Sequence, residues 1–253
     1  MKEQLIEKMI REIHQELGHN PGVTARSSIP QYIGKAFGDT IGLLIPAVSP
    51  ELNEIMDLKG YRSLGMIGSR VGAGPQIMAA DMAVKSTNTE VLSIEYPRDT
   101  KGGAGRGCLI YLGAKNVTDA KEAVEIILNH IDKFFGDVYS NETGHLEFQY
   151  SARAGSCLEK AYGSPAGKAF GLVTGAPAAI GTVLADVALK AAQVEVCTYR
   201  SPLHGNSNSN EVTLIFSGES AAVRQSVAAA REIGKGLLGT MGAAPASQGV
   251  PYI

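Results

Sequence analysis

The chain has 253 residues, 44% hydrophobic and 19% charged, with 30 glycines, no tryptophan and a formal net charge of −2. That balance describes a folded chain rather than a disordered one. The lack of any basic run argues against a nucleic-acid partner, and no stretch approaches the roughly 18 apolar residues of a membrane span.

Residues 2–17 are predicted as an amphipathic helix, because Leu5, Ile6, Met9, Ile10, Ile13 and Leu17 fall within about 140° of arc at 100° per residue. Gly18-His19-Asn20-Pro21-Gly22 ends it and a polar stretch follows, so residues 1–36 are assigned to a helix and linker outside the core fold. Residues 37–138 and 139–253 are then two domains of like order, the second with a C-terminal tail. Each offers four short β-branched strands and three helices. A strand (40–48 or 145–152) leads to a first helix, opened in the first copy by Ser49 and Pro50 and closed by Gly60. A second strand (63–68 or 169–174) leads to a proline-started helix at Pro75 or Pro177. Two more strands (90–96 and 108–112, or 194–200 and 212–216) enclose a loop, and a long helix ends at Gly136 or Gly239. Strands alternating with helices in so small a unit indicate an α/β sandwich with one sheet face open.

The two domains are copies. Ala80-Asp81-Met82-Ala83-Val84-Lys85 returns 105 residues later as Ala185-Asp186-Val187-Ala188-Leu189-Lys190, and Glu90-Val91 and Pro97 return as Glu195-Val196 and Pro202. Seven of those eighteen positions are identical where average usage gives roughly one, so duplication explains them. The match continues with Leu109-Ile110 against Leu214-Ile215.

The loop at 98–107 carries Asp99, Thr100, Lys101, Gly102, Gly103, Ala104 and Gly105, and its repeat carries His204, Gly205, Asn206, Ser207 and Asn208. Glycines permit positive φ and expose backbone N–H groups, so such a loop suits an anion cradle, a narrow opening or a plain flexible hairpin. It joins two strands, whereas dinucleotide and P-loop motifs place their glycines between a strand and a helix. Ser201, His204 and Asp99 lack a nucleophile elbow, and no histidine shows metal-ligand spacing, so neither a hydrolase nor a metal centre is expected. Asp39 and Asp137 each follow Phe-Gly at the start of a copy, as turn caps or as polar groups that contact a small molecule near an opening.

The repeated A-D-x-A-x-K, together with F-G-D-T-I-G-L-L-I-P (37–46), G-A-G-P-Q-I-M-A-A-D (72–81) and P-R-D-T-K-G-G-A-G-R-G (97–107), resembles the bacterial microcompartment shell domain. The order of elements is similar to the tandem, circularly permuted subclass of the propanediol- or ethanol-utilisation type. The resemblance implies an α+β, ferredoxin-like fold with antiparallel sheets and flanking helices. It implies a homotrimer of pseudo-sixfold shape that tiles with other shell proteins into the wall of a cytoplasmic organelle, and no catalysis.

Further expectations come with the resemblance. The loops would line pores for a small polar metabolite such as a diol, an alcohol or glycerol. Lys85, Lys190 and Arg153 would lie at the tile edge, although a lysine near a helix C-terminus is on its own a solvated charge favourable to the dipole. Residues 1–20 would tether encapsulated enzymes, or simply dock on their own trimer. Some relatives hold an iron–sulfur cluster by axis-facing cysteines; neither loop here has a cysteine, so no cofactor is expected. The competing reading is a small-molecule or nucleotide-binding regulator or enzyme on a ferredoxin-like fold.

Overall fold

The computed structural model describes residues 29–97, 107–204 and 209–253; the helix expected at 2–17 and the loop residues 98–106 and 205–208 lie outside them. The first copy runs β1 (Gln31–Ala36), β2 (Thr40–Ile45), α1 (Pro50–Ile55), β3 (Ser63–Ser69), α2 (Gly74–Ser86), β4 (Thr89–Glu95), β5 (Cys108–Ala114) and α3 (Val117–Phe134). The second runs β6 (Val138–Asn141), β7 (Gly144–Ser151), α4 (Ser156–Tyr162), β8 (Ala169–Ala176), α5 (Ala178–Ala191), β9 (Glu195–Arg200), β10 (Val212–Gly218) and α6 (Ser220–Gly239), followed by a two-residue β11 (Ala246–Ser247).

The sheets have matching order, β1-β2-β3-β5-β4 and β6-β7-β8-β10-β9, with β11 added outside β6. Every pairing among the described strands is antiparallel. Helix ends follow local chemistry: Ser49 Oγ accepts the Leu52 N–H at 3.3 Å with Pro50 in the first turn, and the Asn116 side chain accepts the Asp119 N–H at 2.9 Å.

Three differences from the sequence reading stand out. Residues 31–36, assigned above to the linker, form β1 and pair with β2 through a tight turn at Gly38 and Asp39, both at positive φ. Gly34 in the middle of that strand interrupts the alternation that would have marked it. The four-residue β6 was missed because it is too short to show an alternation. The repeat alignment also slips by one at β5 and β10. Gly65 pairs with Leu112 and Gly171 with Phe216, so Ile110 matches Leu214 rather than Ile215. A one-residue slip exchanges the two faces of a strand.

The cores are not separate. One cluster of buried residues joins Ile77, Val91 and Ile110 of the first copy to Cys157, Leu158, Tyr162, Phe170 and Ile215 of the second, while a smaller cluster around Phe148, Val173, Leu184 and Phe216 lies wholly in the second. The shared cluster explains why α2 is buried nearly all round, from Gly74 to Asp81. It is covered by its own sheet and α3 on one side and by the second copy on the other.

Candidate functional site

The joint between the copies is built on Asp81, which is 2% exposed. Its Oδ2 accepts the Gly155 N–H at 3.0 Å and its Oδ1 accepts the Leu158 N–H at 3.2 Å. A carboxylate of α2 thus satisfies backbone donors at the start of α4, the role an N-cap side chain fills locally. Gly155 has no side chain to do so, and a Cβ there would come within 2.6 Å of both Asp81 Oδ1 and Lys85 Cε. Lys85 Nζ sits 2.6 Å from Asp81 Oδ2 and donates to the Arg153 carbonyl. At the other end of α2, Glu147 of β7 lies so close to Gly74 that a Cβ there would collide with its carboxylate. Burial pushes the Glu147 carboxyl up to about 7, a rise that the hydrogen bond from Gln149 Nε2 only partly offsets.

The structure therefore brings Lys85 and Arg153 together, but through the Arg153 backbone and across an internal joint. Lys190, its repeat, stays apart: among the described residues it pairs along its own helix with Asp186 at 2.6 Å, and its side chain is 74% exposed. Matched sequence strings thus end in different environments. Beside the joint opens a cleft of about 380 Å³ with Lys85, Lys133, Arg224 and Tyr252 among its lining residues.

Asp137 is fully buried. Its Oδ1 receives Arg231 Nη1 at 2.7 Å and the Tyr139 hydroxyl at 3.3 Å, and its Oδ2 accepts the Tyr252 and Ile253 N–H groups at 2.8 and 3.1 Å. Arg231 Nη1 also donates to the Ile253 carbonyl at 2.9 Å, and the Tyr252 hydroxyl donates to Gln149 Oε1 at 2.7 Å. Burial, with this carboxylate alongside, pushes the Tyr139 phenol up to about 12. Asp137 was read above as a turn cap or a small-molecule contact; its side-chain partners among the described residues are Tyr139, Arg231 and the backbone of the chain's own tail, so it acts as a tether. Asp39 sits in the β1–β2 turn with φ of 50°. Neither the tether nor the role of Arg231 was visible in the sequence, because Arg231 is 94 residues from Asp137.

Of the proposed pore-lining residues, only His204 is described; Asp99, Thr100, Lys101, Gly102, Gly103, Ala104, Gly105, Gly205, Asn206, Ser207 and Asn208 lie outside the described residues. The His204 N–H donates to Ser201 Oγ at 3.1 Å and the Ser201 N–H donates to the His204 carbonyl at 2.7 Å. The Ser201–His204 proximity is thus a local turn, not a catalytic pair. In both copies the end of the loop is fastened beside the start of a helix, though by different bonds. The Gly107 N–H, at φ of +85°, donates to the Gly72 carbonyl at 2.6 Å just before α2, and Asn210 Oδ1 accepts the Ala178 N–H at 3.1 Å at the start of α5.

Cys108 and Cys157 are buried free thiols and Cys197 is half-buried. Burial raises Cys108 to about 12. Among the described residues no group of three or more His, Cys, Asp or Glu is placed to hold a metal, and no helix is long and apolar enough to cross a membrane.

The sequence model of the BMC domain family matches residues 169–245. The chain is 57% identical over 227 residues to a bacterial microcompartment shell protein, PduB, of Citrobacter freundii, covering 89% of this chain and 84% of that protein. The crystal structure of a trimeric bacterial microcompartment shell protein PduB superposes with a TM-score of 0.86 at 46% identity, covering 89% of this chain and all of that one. EtuB from Clostridium kluyveri superposes with a TM-score of 0.85 at 49% identity, covering 91% of this chain and all of that one. These relatives are structural proteins of an organelle wall rather than enzymes, and the extent of the match makes this chain a member of the bacterial microcompartment shell proteins.

Proposed function

We propose that three copies of this chain form a pseudo-sixfold tile of the shell, and that residues 99–105 and 204–208 line openings through which a small diol, alcohol or glycerol passes. The observation that carries this reading is the matched placement of the two loops. Each leaves its sheet between the fourth and fifth strand and closes beside the start of the helix that bears the repeated Ala-Asp, so a tile holds six comparable loops. Their hydroxyls, amides and backbone groups exchange hydrogen bonds with a polar metabolite without holding it, and the opening excludes larger cofactors by size. The two shell domains are residues 37–138 and 139–253, the first extended by β1. Lys190 and the half-exposed Lys85 with Arg153 face neighbouring tiles at the rim, and residues 1–20 tether encapsulated enzymes by an apolar helical face.

The test is passage of a small diol through closed shells carrying Gly103→Tyr with Gly105→Tyr. Slower entry with an unchanged particle mass is the expected result; unchanged entry would overturn the pore assignment. Deleting residues 1–20 is expected to release the enzyme core from intact shells, and a core that stays attached removes the tether.

A further inference from the structure

We infer that the cleft beside the joint binds a small organic phosphate, its head between Lys133 and Arg224 and a short apolar chain against Met82, Phe134 and Tyr252. The cleft's volume of about 380 Å³ lies within the range of small-molecule sites. The pore and tile readings above use neither Lys133 nor Arg224.

The charge favours an anion. Three cations, Lys85 of α2, Lys133 of α3 and Arg224 of α6, meet at the cleft from both copies, against one carboxylate, Asp81. That carboxylate is already taken up by the Gly155 and Leu158 N–H groups and by Lys85. The whole chain carries −2, so an excess of two positive charges in one cleft runs against its overall balance. Among the described residues the Arg224 side chain has neither a hydrogen bond nor an ion pair. The Lys133 ammonium has only ring faces, 5.6 Å from the Phe134 centroid and 5.5 Å from that of Tyr252.

Helix chemistry accounts for one of these cations. Lys133 is in the last turn of α3, where a cation suits the dipole. Arg224 lies near the start of α6, where a cation gains nothing from it. The repeat shows that the shared fold does not require this set. Helices α3 and α6 correspond at an offset of 103, which aligns Phe135-Gly136 with Leu238-Gly239 and Lys133 with Gly236. Arg224 then matches Lys121, which pairs with Glu125 at 3.5 Å, whereas Ala228 stands where Arg224 would find the same partner. Tyr150, which also lines the cleft, matches Leu44, because each is paired with the corresponding glycine, Gly171 or Gly65.

A phosphate dianion suits the set. A guanidinium takes two of its oxygens side by side and an ammonium supplies a point charge, while a carboxylate brings half the charge. The adjoining wall is apolar. The Phe134 and Tyr252 rings meet edge to face at 5.6 Å, and the Tyr252 hydroxyl already donates to Gln149 Oε1, so Tyr252 offers a ligand its ring. The Met82 thioether adapts to an alkyl chain beside them.

Isothermal titration calorimetry of the purified protein with propyl phosphate, in low-salt buffer free of phosphate and sulfate, tests this. One propyl phosphate per chain is expected. Inorganic phosphate and butanoate are each expected to bind about tenfold more weakly, since one lacks the chain and the other half the charge. Arg224→Gln and Lys133→Met are each expected to weaken propyl phosphate about tenfold with unchanged far-UV circular dichroism, whereas Lys121→Met and Lys190→Met leave it as it is. The comparison of the three anions needs no variant to fold. No saturable heat, equal affinity for the three anions, or an equal loss from Lys121→Met overturns the site. If no anion binds and Arg224→Glu instead blocks the growth of tiled sheets, the cleft is a contact between tiles, and the tile reading stands without the ligand site.

Discussion

Asp81 and Gly155, 74 positions apart, meet in a 3.0 Å hydrogen bond that fastens one copy of the repeat to the other. The carboxylate is buried and its acceptors are taken up by two backbone donors and Lys85, so its loss leaves donors with no replacement. Asp81→Ala is expected to lower folding stability by about 2–4 kcal/mol, read as a fall in the melting temperature. Lys190→Ala, which breaks only the exposed pair with Asp186, is expected to cost less than about 0.5 kcal/mol. Equal effects would mean that the joint does not depend on the buried cap.

Gly155 offers a steric test of the same contact. A methyl group there meets Asp81 Oδ1 and Lys85 Cε at 2.6 Å, so Gly155→Ala is expected to cost about 1–3 kcal/mol in thermal unfolding. Gly60→Ala makes a useful contrast, because its added Cβ meets nothing within 4 Å and only its positive φ of 78° resists the change. A Gly155→Ala variant as stable as the parent would show that the joint yields easily.

Glu147 makes stability depend on pH in a defined direction. Its carboxyl, raised from 4.5 to about 7 by burial, binds a proton more tightly in the folded chain than in the unfolded one. Its favourable contribution is therefore present below about 4.5 and is lost as pH rises to about 7, a change on the order of 3 kcal/mol. Glu147→Gln removes the titration while keeping an acceptor for Gln149. Melting temperatures of the two proteins are expected to converge near pH 4 and to separate by pH 8, with the variant higher. A constant difference across that range would count against a buried, titrating Glu147.

The tail should be as firm as a core strand. Asp137→Ala strands Arg231, whose side chain is only 16% exposed, and releases the Tyr252 and Ile253 amides. The expected cost is about 3–5 kcal/mol, with residues 246–253 losing amide-exchange protection before the sheets do. Retained protection in that segment would show that β11 and Tyr252 hold it without the carboxylate.

The repeat, the helix starts at Ser49 and Pro50 and four of the strands in each copy were legible because they rest on local signals: side-chain period, caps and turn residues. What was hidden depends on distance along the chain or on context. Lys85 and Lys190 share a motif, yet Lys85, though half-exposed, also bridges the internal joint to Arg153 while Lys190 reaches only Asp186 of its own helix, a distinction that no window around either residue contains. Asp137 looked like a turn residue because Phe-Gly precedes it, and its partners Arg231 and Tyr252 lie 94 and 115 positions away. The break at Gly34 concealed β1, and the slip between β5 and β10 passed unnoticed because Leu109-Ile110 and Leu214-Ile215 are the same pair of letters.

The core shared by the two copies also bears on the order in which the molecule folds. Each sheet is assembled from antiparallel neighbours within its own copy, contacts that close over short stretches of chain and form early. The link from Ile77 and Val91 to Leu158 and Phe170 needs both sheets in place first. During synthesis the first copy must therefore wait with α2 half bare until the second emerges. That interval, when α2 and α1 both present apolar surface, is the stage at which a foreign chain has its best chance to take the place of the second copy.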